Sequence, residues 1–147
     1  MNTKQIFISK SDYLRIKALI TDPDFAYIHN GRTASLKGEL ERAAVVEDSE
    51  LSANRVGLNS RVVIKDLRTH EKEEYQLTMP EDMEDDESNI SILSPIGTIL
   101  LGYAAGDEIT CDTPGGSRQI LIESVKRGTQ VPRSQRSVID EILNRSL

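Results

Sequence analysis

Between residues 9 and 21 the apolar side chains Tyr13, Ile16, Leu19 and Ile20 recur near the helical period, with Ser9 or Ser11 placed to cap the first turn. Pro23, in Thr21-Asp22-Pro23-Asp24, pushes the residue before it out of helical geometry and predicts a stop. A loop through Asn30-Gly31 is expected next. A second helix is then predicted from Thr33 or Ser35, with Leu36, Leu40, Ala43 and Ala44 on one face. Helices of about 12 residues are roughly 18 Å long at 1.5 Å per residue, and need a partner surface to persist. Residues 1–55 therefore read as a short antiparallel helical hairpin, a short coiled coil.

From Val56 the period shortens. Val56, Val62, Val63, Ile64 and Leu67 form a β-branched run that ends in a turn at Arg68-Thr69-His70-Glu71. Glu73 to Met79 alternates polar and apolar residues, as a half-buried strand does. Ile90, Ile92 and Leu93 suggest another strand. Ser94 then stands as N-cap and Pro95 as first residue of a short helix that Gly102 ends. Asp107–Thr113 and Gln119–Lys126 complete the pattern, joined through Pro114-Gly115-Gly116. Residues 56–127 are predicted as an α+β unit, an antiparallel sheet of about five strands carrying one helix. In 128–147, Ser134 or Ser137 precedes Val138, Ile139, Ile142 and Leu143 at helical spacing, which predicts a short amphipathic C-terminal extension.

Charge sharpens this division. The 147 residues carry 18 Lys+Arg and 24 Asp+Glu, a formal charge of −6. Residues 1–55 hold eight basic and eight acidic side chains, whereas 56–127 hold seven and fourteen. Six of those acids sit in Glu81-Asp82-Met83-Glu84-Asp85-Asp86-Glu87, which lacks the pattern of a calcium loop and reads as a solvated, self-repelling loop. The acidic balance disfavours nonspecific nucleic-acid binding, and 4% aromatics without Trp offer few rings for base stacking. The single Cys111 excludes an intramolecular disulfide and fits a reducing compartment. No apolar run approaches ~18 residues, and the N-terminal apolar stretch is too short for a signal peptide. A cytoplasmic protein without membrane contact is expected.

Enzymatic signals are absent from the pattern. No lysine lies between Lys72 and Lys126, so Ser94–Gly102 is no phosphate loop. His29, His70 and Cys111 lack zinc spacing, Cys111 reads as a small core residue, and no serine sits in a Gly-x-Ser-x-Gly elbow. Asp22 and Asp24 are too few ligands for a hard cation and are ordinary capping residues beside Pro23, while Phe25 reads chiefly as an anchor for its loop. No cofactor, metal or catalytic group is expected.

Several short motifs stand in register: Asn59-Ser60-Arg61-Val62, Ile90-Ser91-Ile92, Ser94-Pro95-Ile96-Gly97, Leu100-Leu101-Gly102, Gly106-Asp107 and Thr113-Pro114-Gly115-Gly116. In order and spacing they resemble the C-terminal domain of the Gre-type (GreA/GreB) transcription elongation factors. Ser11–Ile16 and Leu36–Ala43 resemble the short N-terminal hairpin of one branch of that family, the regulators of nucleoside diphosphate kinase. The resemblance implies an FKBP-like fold for 56–127 and docking on RNA polymerase beside its secondary channel, with the hairpin directed into the channel. Cleavage factors of the family carry a long coiled coil whose acidic tip helps hold a magnesium ion. The hairpin expected here is several turns shorter and lacks that tip motif.

The expectation is thus a non-enzymatic regulator that binds RNA polymerase and competes with transcript-cleavage factors without stimulating cleavage. Ser94, Pro95 and Ile96 are the candidate docking residues, equally readable as helix cap and core. Asp22, Asp24 and Phe25 form the candidate hairpin tip. The alternative is an FKBP-like peptidyl-prolyl isomerase, which needs an aromatic pocket, and 56–127 offers only Tyr75 and Tyr103. An effect on nucleotide metabolism, suggested by the branch name, would be indirect. A monomer is favoured, because Gly128 and Pro132 give the chain a turn by which the C-terminal helix folds back; the other arrangement is a dimer through that helix.

Overall fold

The computed structural model describes residues 4–28, 30–83, 88–113 and 115–127. Strand β1 (Phe7–Ser9) runs directly into helix α1 (Lys10–Thr21). Ser9 is the N-cap, its hydroxyl accepting from the Asp12 N–H at 3.3 Å, while Ser11 instead donates to Asp48. The expected loop after Pro23 is a helix, α2 (Pro23–Ile28), and α3 begins at Asn30 rather than at Thr33 or Ser35, ending at Arg42. The reason lies in Asp22-Pro23. Proline ends α1 and, at the first position of the next helix, where no N–H is needed, starts α2. Strand β2 (Ala44–Val46) then pairs in parallel with β1, Phe7 opposite Ala44, so α1 leaves and α3 returns at one two-stranded root. This pair was not visible in the helical pattern of residues 1–55.

A 3-10 turn at Asp48–Glu50 leads to the sheet strands β3 (Arg61–Asp66), β4 (Lys72–Thr78), β5 (Asn89–Ser91), β6 (Glu108–Thr113) and β7 (Gly116–Lys126). Their order is β5-β4-β3-β7-β6. The sheet is mixed rather than antiparallel, because β5 pairs with β4 in parallel. Only three residues long and preceded by the acidic run, β5 gives no sequence cue to its direction. Val56 falls outside β3, whose first residue is Arg61, and β7 starts three residues before the expected Gln119.

Helix α4 (Pro95–Leu100) lies between β5 and β6 and packs on both. Gly102, at φ +86°, ends it; a Cβ there would stand 2.8 Å from the Ile6 Cβ. One buried cluster joins Ile6, Ile8, Ile16, Leu36 and Leu40 to Val62, Ile64, Leu77, Leu100, Ile109, Ile120 and Ile122. The helices and the sheet therefore share a core. Cys111 is buried in a strand, and burial pushes its thiol pKa up.

The acidic run is not uniformly a solvated loop. Pro80–Asp82 forms a 3-10 turn and Asp82 is buried, 3.2 Å from the Arg15 guanidinium of α1. Residues 84–87, His29, Pro114 and the expected C-terminal helix at 128–147 lie outside the described residues. Among the described residues no helix is long and apolar enough to cross a membrane.

Candidate functional site

The Ser94-Pro95-Ile96 motif is built on a closed turn. The Ser94 N–H and hydroxyl both donate to the Ser91 carbonyl, at 3.0 and 2.7 Å, and the Ser94 hydroxyl accepts from the Gly97 N–H at 3.0 Å. A Cβ at Gly97 would stand 2.1 Å from the Ser91 oxygen, so only glycine permits this turn. Ser94 thus spends its hydroxyl on the helix it caps. Pro95 is exposed at the first helical position, whereas Ile96 is half-buried and packs against the core. Of the three candidates, Pro95 presents its ring to solvent, and Ile96 serves the core at least in part.

Asp22, Asp24 and Phe25 do gather at the turn between α1 and α2. The Asp22 carboxylate accepts the N–H groups of Asp24 and Phe25, at 2.9 and 3.2 Å, and so caps α2. Asp24 is exposed, and Phe25 is half-buried against the core cluster, as its reading as an anchor expects. No group of three or more His, Cys, Asp or Glu that could hold a metal exists among the described residues.

The structure adds a set of polar clamps that join the helical excursion to the sheet. Asp12, only 2% exposed, faces inward from the first turn of α1 and accepts the Leu58 N–H at 3.0 Å. Arg15, three residues further on, meets Asp82. At the end of α3, the Arg42 guanidinium donates to Glu39 and to the Tyr103 hydroxyl, 2.7 Å away, just past α4. Burial raises the Tyr103 pKa against the opposing pull of Arg42. Ahead of β1, Lys4 pairs with Asp107. Burial works against the Asp107 charge, but Lys4 and the Ala104 N–H outweigh it and leave its pKa lowered. Arg55 stacks over the Phe7 ring, 4.5 Å from its centroid.

Sequence reasoning missed these clamps because the partners that join the helices to the sheet, Asp12 with Leu58, Arg15 with Asp82, Arg42 with Tyr103 and Lys4 with Asp107, are distant in the chain. One signal was available: Asp12 stands four residues before buried Ile16 on one face of a helix, where a charge needs a partner.

The likenesses to other proteins agree with this architecture. A family model described as "Transcription elongation factor, GreA/GreB, C-term" matches residues 51–127, which include all the motifs from Asn59 to Gly116. The chain belongs to the GreA/GreB transcription elongation factor family. It is 41% identical over 97 residues to the transcription elongation factor GreA of Desulfotalea psychrophila, an overlap of 66% of this chain and 60% of that protein. The chain thus spans about three-fifths of the length of the GreA relative it matches. It is 34% identical over 116 residues to the regulator of nucleoside diphosphate kinase of Escherichia coli (strain K12), covering 79% of this chain and 84% of that one. The solved structure of a prokaryotic transcription elongation factor GreA/GreB from Nitrosomonas europaea superposes with a TM-score of 0.68 at 34% identity. That match covers 84% of this chain and 99% of the other.

Proposed function

We propose that this chain is a non-enzymatic transcription regulator that docks on RNA polymerase near the secondary channel and competes there with transcript-cleavage factors without stimulating cleavage. The observation that carries the reading is the make-up of the helical excursion. Its outgoing helix has 12 residues, and the Asp22 carboxylate at its end is occupied in capping α2. An arm of three to four turns per helix, whose tip acids are Asp22 and Asp24, falls short of the long acidic-tipped coiled coil that the resemblance associates with cleavage.

In this reading residues 1–55 act as a short helical hairpin, 56–127 as an FKBP-like docking domain and 128–147 as an extension. Asp22, Asp24 and Phe25 form the hairpin tip, and Ser94, Pro95 and Ile96 contribute to the docking face. An isomerase reading gains no support. Tyr103 is buried against Arg42, and the Tyr75 hydroxyl donates to Glu73, with burial and that bond pushing its pKa up to about 12.

A pull-down with core RNA polymerase, with a long-armed cleavage factor as competitor, tests the proposal. Binding that the competitor displaces is expected. Pro95→Asp, at an exposed position where an acid suits a helix N-terminus, should weaken binding by about 1–3 kcal/mol with an unchanged thermal melt. Binding unaffected by the competitor would contradict the shared site.

A further inference from the structure

The polar clamps of the excursion divide between its two long helices. Asp12 and Arg15 both stand on α1, about 4.5 Å apart along its axis, and reach Leu58 ahead of β3 and Asp82 beyond β4. Two anchors so close on one helix hold that helix but leave its partner free to swing about it. The clamp on α3 goes elsewhere. Arg42, the last residue of α3, reaches Tyr103, three residues past the end of α4.

The exit of α4 is itself firmly held. The Gly102 carbonyl accepts the Phe7 N–H of β1 at 3.1 Å and the Arg55 guanidinium at 3.0 Å, and the Gly102 N–H donates to the Val56 carbonyl at 2.9 Å. The Tyr103 carbonyl accepts the Val56 N–H at 2.7 Å, and the Tyr103 residue is only 1% exposed, so its hydroxyl is a fixed point. All three nitrogens of the Arg42 guanidinium are engaged around that point. Nε donates to Glu39 at 2.8 Å, one terminal nitrogen to the Lys4 carbonyl at 2.7 Å and the other to the Tyr103 hydroxyl at 2.7 Å. The Arg42 carbonyl in turn accepts from the Gln5 side chain at 2.8 Å. A planar guanidinium carries its donors in a rigid fork and so transmits an angle, which a flexible ammonium does not. The bond from Phe7 to Gly102 joins β1 to the same place, but one hydrogen bond is a pivot rather than a brace.

We propose that Arg42 and Tyr103 are positioning residues, which fix the angle between the helical excursion and α4. The functional side of this rests on the reading of α4 as part of the docking face. With exposed Pro95 against the polymerase at one end of α4, the angle set beyond its other end decides where the Asp22–Phe25 tip points. Tyr103 is buried and acts only through Arg42, which carries the angle into α3.

The test places spin labels on the full chain at Ala34→Cys in α3 and Ser117→Cys in β7, both exposed, with Cys111 buried. A second pair, Glu74→Cys with Ser117→Cys, lies within the sheet and is the reference. Tyr103→Phe keeps the ring and removes the hydroxyl. It should widen the distribution of distances in the first pair by about twofold and leave that of the reference pair unchanged. Arg42→Met should widen the first distribution too, and the two changes together no further than Arg42→Met alone, because they break one contact. An unchanged first distribution in Tyr103→Phe, equal widening of both pairs, or additive widening overturns the proposal. On the polymerase, a photo-crosslinker in place of Asp24 should yield about threefold less product in Tyr103→Phe at equal amounts bound, and an equal yield also overturns the positioning role. Failure of the unsubstituted chain to bind polymerase contradicts the docking reading instead, and the distances, measured on the free chain, still decide the angle.

Discussion

The sheet and the helical excursion are held by different physics. Strands β3 and β7 form the centre of a five-stranded ladder around Val62, Ile64, Ile120 and Ile122, each at most 1% exposed. The excursion contributes Ile16, Leu36 and Leu40 to the same cluster, but its direction is set by a few polar contacts at its base, those of Asp12, Arg15 and Arg42. Burial is nondirectional, whereas a hydrogen bond between fixed groups has an angle. The sheet is thus built to persist and the excursion to be aimed. On the proposed reading, a family that shares this domain can change what its helices do by altering their length and tip, leaving the domain intact.

The largest effect should come from the sheet. Ile120→Ala removes a fully buried side chain from β7 and should cost about 3–4 kcal/mol, seen as a lower melting temperature for the whole molecule. Asp12→Ala removes the carboxylate that receives the Leu58 N–H and should cost about 2 kcal/mol. Its distinguishing sign is faster amide exchange in α1 and at Leu58, with the order of protection within β3 and β7 retained. Equal loosening of the two regions would break the comparison. Arg15→Ala should cost about 1 kcal/mol, since Arg15 is partly exposed while Asp82 is buried.

The smallest effect concerns pH. The Asp107 pKa is lowered in the folded chain, so the carboxylate contributes stability above the unfolded value of 3.8 and loses it as pH falls through the folded value. Asp107→Asn should lower the melting temperature slightly near neutrality, where the carboxylate's contribution is fully present, and flatten its dependence on pH in that acid range. An unaltered acid slope would remove Asp107 from the clamps.

Much of the fold is local information. Tyr13, Ile16, Leu19 and Ile20 mark α1, the alternation from Glu73 to Met79 marks β4, and Ser94-Pro95 marks the start of α4. What the sequence hides is pairing at a distance. Nothing near β5 says that it runs parallel to β4, and nothing near Phe7 points to Ala44. Pro23 carries two meanings, the end of one helix and the start of another, and only tertiary contacts choose between them. The candidate site shows the same division. The capping role of Ser94 can be read from the next three residues, but the half-burial of Ile96 beside exposed Pro95 depends on the core beneath them.

The central claim is that a short excursion on a GreA/GreB-type domain occupies the polymerase without acting on its transcript. The most direct measurement is transcript cleavage in backtracked elongation complexes with this protein at saturation, alone and against a long-armed cleavage factor. The account predicts the unassisted cleavage rate when the protein is alone, and suppression of the long-armed factor's stimulation as this chain is added. Acceleration of cleavage by this protein alone, lost in Asp22→Asn with Asp24→Asn, would contradict it.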